Sequence, residues 1–96
     1  SDTISSTKVL FVNFGQKEAA ASLHYVMQLR ARGISAELFP DNAKMKKQLS
    51  YANGKHVPYV AMVGETEMAS GTITLKNMET GEQSNLSLDQ VVDMVK

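Results

Sequence analysis

Apolar residues along this chain follow two rhythms, punctuated by glycine and proline. The stretch "KVLFVNFG" (8–15) is an unbroken β-branched and aromatic run of buried-strand length. "QKEAAASLHYVMQLRARG" (16–33) follows, alanine-rich, with Leu23, Val26 and Met27 on one helical face, Arg30 and Arg32 in the last turn and Gly33 as the residue after the cap. "ISAELFP" alternates Ile34, Ala36 and Leu38 before Pro40. A strand, a helix and a strand joined this way predict a parallel, right-handed unit.

The second half continues the pattern. A helix capped by Asp41 or Asn42 and closed by Gly54 buries Met45, Leu49 and Ala52. "HVPYVAMVG" is apolar enough for a central strand in a sheet covered on both faces. Only "ETEMAS", read as a short polar loop, separates it from "GTITLKN", which carries Thr72, Thr74 and Lys76 on one side. That connection is too short for a parallel crossover, so the fourth strand runs antiparallel to the third. After the "METGEQ" turn, residues around Gln83 to Asn85 form a fifth strand. Ser87 and Gln90 make a capping box, Leu86 and Val91 a hydrophobic staple, and Leu88, Val91, Val92 and Val95 face the core. The pattern predicts an α/β domain over 8–96, with a mixed five-stranded sheet and helices on it, and a linker remnant over 1–7.

Composition narrows the chemistry. A chain of 96 residues, 43% apolar, has one core. It has no cysteine, which removes disulfides, thiolate metal sites and cysteine nucleophiles, and permits a reducing, cytoplasmic setting. No apolar stretch reaches membrane-spanning length, so no membrane partner is expected. The formal net charge is zero, which argues against coating nucleic acid, DNA included, by electrostatics alone. The charges are nevertheless segregated. Lys44, Lys46, Lys47 and Lys55 stand between Asn42 and Gly64, while Glu65, Glu67, Glu79, Glu82, Asp89 and Asp93 dominate beyond it. A basic strip beside an acidic segment suits a polyanion with readable edges, although each also reads as a solvated face.

Ligands of open α/β sheets bind where the carboxyl ends of parallel strands meet a reversal of strand order. Here those ends are Asn13 to Gly15 and Gly64 to Glu67. "NFGQKEA" has neither the spaced glycines of a dinucleotide loop nor the Gly-Lys-Ser/Thr of a phosphate loop. His24 and His56 lack a third ligand at metal spacing, and Ser70 lacks a nucleophile elbow. No self-contained active site is legible. A loop carboxylate can, however, accept two hydrogen bonds side by side from unpaired guanine, and a strand lysine can reach a base oxygen or a phosphate. Sequence-specific RNA binding reads splayed bases in this way.

"PYVAMVGETEMASGTITLKNMETGEQ", preceded by "DNAKMKKQLSYANGKHV", resembles the C-terminal anticodon-binding domain of class IIa aminoacyl-tRNA synthetases, nearest to that of histidyl-tRNA synthetase. The resemblance runs from "KVLFVNFG" to the last helix. Its most specific parts are Lys47-Gln48, the strand led by Pro58, Gly64-Glu65 with Glu67, Gly71, Lys76 and the Gly81 turn. It implies a three-layer anticodon-binding-domain fold with strand order 2-1-3-4-5. It also implies a fragment that is not catalytic alone and needs no cofactor, within a homodimeric parent that charges tRNA(His) with histidine using ATP and Mg²⁺.

The resemblance suggests site residues one by one. In a related threonine enzyme, an acidic residue at the position of Glu67 and an arginine at that of Lys76 read anticodon bases. Lys76 lacks the planar fork of arginine, which favours a phosphate or single-oxygen contact. Glu67 would meet a guanine of the GUG anticodon, Glu65 would position the loop or stay solvated, Asn13 would lie across the switch point, and Lys44 and Lys47 would contact phosphates. Regulatory paralogues and tRNA-sensing kinases carry the same module without charging tRNA, and a flavodoxin-like protein-interaction domain is the remaining alternative.

Overall fold

The computed structural model describes residues 6–96; most of the expected linker remnant, residues 1–5, lies outside the described residues. The elements run β1 (Val9–Phe11), α1 (Gln16–Ala31), β2 (Ala36–Leu38), α2 (Met45–Gly54), β3 (Tyr59–Met62), α3 (Glu65–Ser70), β4 (Ile73–Asn77), β5 (Gln83–Leu86) and α4 (Leu88–Val95). The sheet order is β2-β1-β3-β4-β5. β1 is parallel to both β2 and β3, β4 is antiparallel to β3, and β5 is antiparallel to β4. Mixed sheet, strand order and connection logic all agree with the sequence.

Alternation along the strands divides the core into two layers. Val9, Phe11, Ala61, Val63, Ile73 and Leu75 point to one face, where they meet Val26 and Leu29 of α1 and Val91, Val92 and Val95 of α4. Leu10, Val12 and Val60 point to the other, beneath Ala52, Leu49 and Met45 of α2. Helices therefore cover both faces, but α2 alone covers the second. Among the described residues, the only β4 or β5 neighbour that joins its cluster is Met78, just past the end of β4.

Helix α1 ends as the sequence indicates. Gly33 takes φ 80° after the cap, its N–H donates to the Arg30 carbonyl, and the Ile34 N–H donates to that of Leu29, both at 3.0 Å. The buried stripe of α1 differs from expectation, however. Ser22, Val26 and Leu29 are buried, whereas Leu23 and Met27 are 45% and 59% exposed. Leu23 borders an open groove along the edge strand β2, where no further strand among the described residues closes over it.

Two other local expectations are corrected. Neither Asp41 nor Asn42 caps α2; Lys44 occupies the cap, and no side chain bonds there. Its first turn is tied down from within by Gln48, described below. "ETEMAS" is a six-residue helix, α3, and not a loop. Gly64 begins it, Glu67 in its first turn accepts the Gly64 N–H at 2.8 Å, and Gly71 at φ 70° ends it. At α4 the capping box is as predicted: Ser87 Oγ accepts from the Gln90 N–H at 3.2 Å, and Gln90 Oε1 accepts from the Ser87 N–H at 2.9 Å.

Candidate nucleic-acid interface

The cross-strand register decides which side chains share a surface. Lys76 pairs with Val60 on β3 and with Gln83 on β5, while Thr74 pairs with Met62 and Asn85. Directly paired residues project to the same face. Thr74, Lys76, Gln83 and Asn85 thus form a polar field on the α2 side of the sheet, beyond the reach of α2, and Gln83 and Asn85 are exposed. The opposite side of these strands is covered, since Ile73, Leu75 and Leu86 pack into the layer that holds α1 and α4.

Glu67 organises the upper corner of this field. Its Oε1 accepts the Gly64 N–H, and its Oε2 accepts the Thr74 hydroxyl at 2.8 Å. Thr74 in turn accepts the Asn85 side-chain N–H at 3.2 Å. One carboxylate therefore joins α3, β4 and β5. Partial burial pushes the Glu67 pKa up, but hydrogen bonds from the Thr74 hydroxyl, the Gly64 N–H and its own backbone N–H outweigh this and hold it below the ordinary carboxylate value. The resemblance suggests Glu67 as a base reader; in the structure each of its oxygens already has an internal partner. Glu65 is exposed on the first turn of α3.

Asn13 is likewise committed to the protein. It is 8% exposed. Its side-chain N–H donates to the Phe39 carbonyl at 3.0 Å, and its Oδ1 accepts the Gly15 N–H at 2.9 Å. Its backbone N–H and carbonyl are both bonded by the side chain of Gln48, at 2.8 and 2.9 Å. Gln48 makes a third bond, donating to the Ala43 carbonyl at 2.8 Å, and is 1% exposed. This residue fixes the start of α2 against the carboxyl end of β1. Lys44 and Lys47, both exposed, are carried there, at the edge of the sheet where α3 also begins.

Of the six candidates, Lys44, Lys47, Glu65 and Lys76 make no side-chain hydrogen bond or ion pair among the described residues. Glu67 and Asn13 instead hold backbone and strands together. The structure adds Gln83 and Asn85, which their residue types alone did not distinguish from ordinary surface; only the β4–β5 register reveals them. Among the described residues no three His, Asp or Glu side chains group to hold a metal ion, and no helix is long and apolar enough to cross a membrane.

Residues 8–96 match the family model described as the anticodon binding domain. The chain belongs to that family. It is 52% identical over 95 residues to a histidine--tRNA ligase of Phocaeicola vulgatus, covering 99% of this chain and 21% of that protein. It is 53% identical over 91 residues to the histidine--tRNA ligase of Bacteroides fragilis, covering 95% and 20%. A histidyl-tRNA synthetase structure from Nostoc superposes with a TM-score of 0.88 at 22% identity, over 95% of this chain and 22% of that one. A second, from Staphylococcus aureus, gives 0.81 at 26% identity, over 94% and 23%. The chain thus spans about a fifth of the length of the relatives it matches. As an anticodon-binding domain related to histidine--tRNA ligases, it has the strand order that the resemblance implied.

Proposed function

We propose that this domain binds the anticodon loop of tRNA(His) on the uncovered β4–β5 face, as one part of a histidine--tRNA ligase. The observation that carries this reading is the polar field of Thr74, Lys76, Gln83 and Asn85, left open by α2 and backed by the apolar layer beneath α4. Unpaired bases present both donors and acceptors, and the side-chain amides of Gln83 and Asn85 answer both. Lys76 contributes a cation for a phosphate or a base oxygen, and Lys44 and Lys47 approach the backbone from α2. Glu67 acts first by holding Thr74 and Asn85 in place, and Glu65 is the carboxylate free to meet a guanine. Asn13 supports the edge from within.

The remaining four-fifths of such a protein would supply histidine activation with ATP and Mg²⁺, transfer to tRNA, homodimer contacts and a cytoplasmic setting; this domain supplies recognition. Binding to a stem-loop with a GUG anticodon, and to loops with each anticodon base changed in turn, tests the reading at low and moderate salt. A preference for GUG that Glu65→Gln or Lys76→Ala weakens supports it. Equal affinity for every loop removes base reading and leaves only a positioning role.

A further inference from the structure

Among the described residues, His56 alone has a positive φ without being glycine, at 58°. It follows the cap of α2, where its N–H donates to the Asn53 carbonyl at 3.1 Å and the Val57 N–H donates to that of Ala52 at 2.9 Å. Glycine fits such a position without steric cost, whereas a Cβ crowds the backbone there. Backbone conformations of this kind concentrate where a side chain is used. The side chain held here lines a hollow of about 320 Å³, together with Asn53, Val57, Pro58, Met78 and Glu79.

The hollow lies on the face described above. Val57 and Met78 belong to the layer beneath α2, and the Met78 N–H continues the β3–β4 pairing by donating to the Pro58 carbonyl at 2.9 Å. Met78 stands two residues beyond Lys76, hence on the same side and about 7 Å along the strand direction. Val57, Pro58 and Met78 give the hollow an apolar floor. Asn53, His56 and Glu79 are its polar lining residues. An apolar floor with a few polar groups suits a flat heterocycle, and unpaired bases stack on aromatic rings, histidine included. The Glu79 carboxylate disfavours a phosphate there.

We propose that this hollow takes an unpaired nucleobase of the RNA whose anticodon meets Lys76, with the His56 ring as its stacking platform. This rests on the anticodon-loop reading above. The test uses GUG stem-loops in which one loop nucleotide at a time is made abasic, titrated against the unsubstituted chain and against His56→Gly and His56→Asn, with thermal melting of all three proteins. One abasic position is expected to cost the unsubstituted chain about ten-fold in affinity, the order of a base stacked on an aromatic side chain. Both variants should bind the intact loop correspondingly more weakly and be indifferent to that position. His56→Gly should melt no lower than the unsubstituted chain, because glycine relieves the backbone, so weaker binding would not reflect unfolding. Equal binding of the intact loop by all three proteins, or a loss with no position singled out, overturns the hollow and leaves the anticodon reading standing. No binding of any loop by the unsubstituted chain overturns both.

Discussion

The side-chain amide of Gln48 closes a two-way clasp on the backbone of Asn13, accepting its N–H at 2.8 Å and donating to its carbonyl at 2.9 Å. A helix residue thus imitates a neighbouring strand at the point where β1 ends. Gln48→Leu keeps the approximate volume but leaves buried donors and acceptors unpaired, so a loss of about 2–4 kcal/mol in stability is expected. Urea denaturation reads it directly; an unchanged midpoint would show that the clasp contributes nothing net.

Glu67 makes stability depend on pH. Its folded-state pKa lies below its unfolded one, so the unfolded chain binds more protons in the acid range. The contribution is complete above the ordinary carboxylate range. It declines as pH falls through that range and is gone below the depressed folded value. Glu67→Gln should flatten this acid limb in melting experiments run against pH, and an identical limb in the variant would remove the assignment.

Ser22 is fully buried on α1, and its hydroxyl has no hydrogen-bond partner among the described residues. Ser22→Ala removes an unsatisfied group and improves helix propensity, so a gain of about 1 kcal/mol is expected. Chemical denaturation of the two proteins side by side decides it, with a loss of stability as the contrary result.

Lys47 is exposed at the start of α2. If it contacts a phosphate, Lys47→Ala weakens all RNA loops alike and lowers the magnitude of the slope of log affinity against log salt by about 1. A change confined to GUG loops would instead mark it as a base reader.

Periodicity and connection length made most of the fold legible. The apolar run at 56–64 reads as a central strand, and the short connection after it forces β4 to turn back, as observed. The α4 cap was legible because Ser87, Gln90 and their apolar flanks occupy fixed offsets. Helix α3 was not, because six residues are too few to display a helical period, although Gly64, Glu67 and Gly71 marked its ends. Leu23 and Met27 misled for a related reason: each lies one residue beyond a buried position, Ser22 or Val26, so two adjoining faces of α1 look alike, and only the packed sheet selects the one through Ser22, Val26 and Leu29. At the site, Lys76 could be placed from alternation alone. The commitments of Glu67 and Asn13 depend on partners distant in sequence or folded back upon them, and Gln48 stood out in the sequence only as part of the Lys47-Gln48 pair, with nothing to name Asn13 as its partner.

The insertion of β1 between β2 and β3 also bears on the order of assembly. β3, β4 and β5 follow one another through short connections, whereas β1 pairs only with strands reached by crossover helices. Contacts between nearby segments close at lower entropic cost, so the β3–β4–β5 ribbon should gain protection first and β1 later, an order that pulsed hydrogen exchange during refolding would reverse if wrong. A chain emerging from its N-terminus then carries β1 without its second neighbour until β3 is complete, so the strand of this sheet that is made first joins the β3–β4–β5 ribbon late.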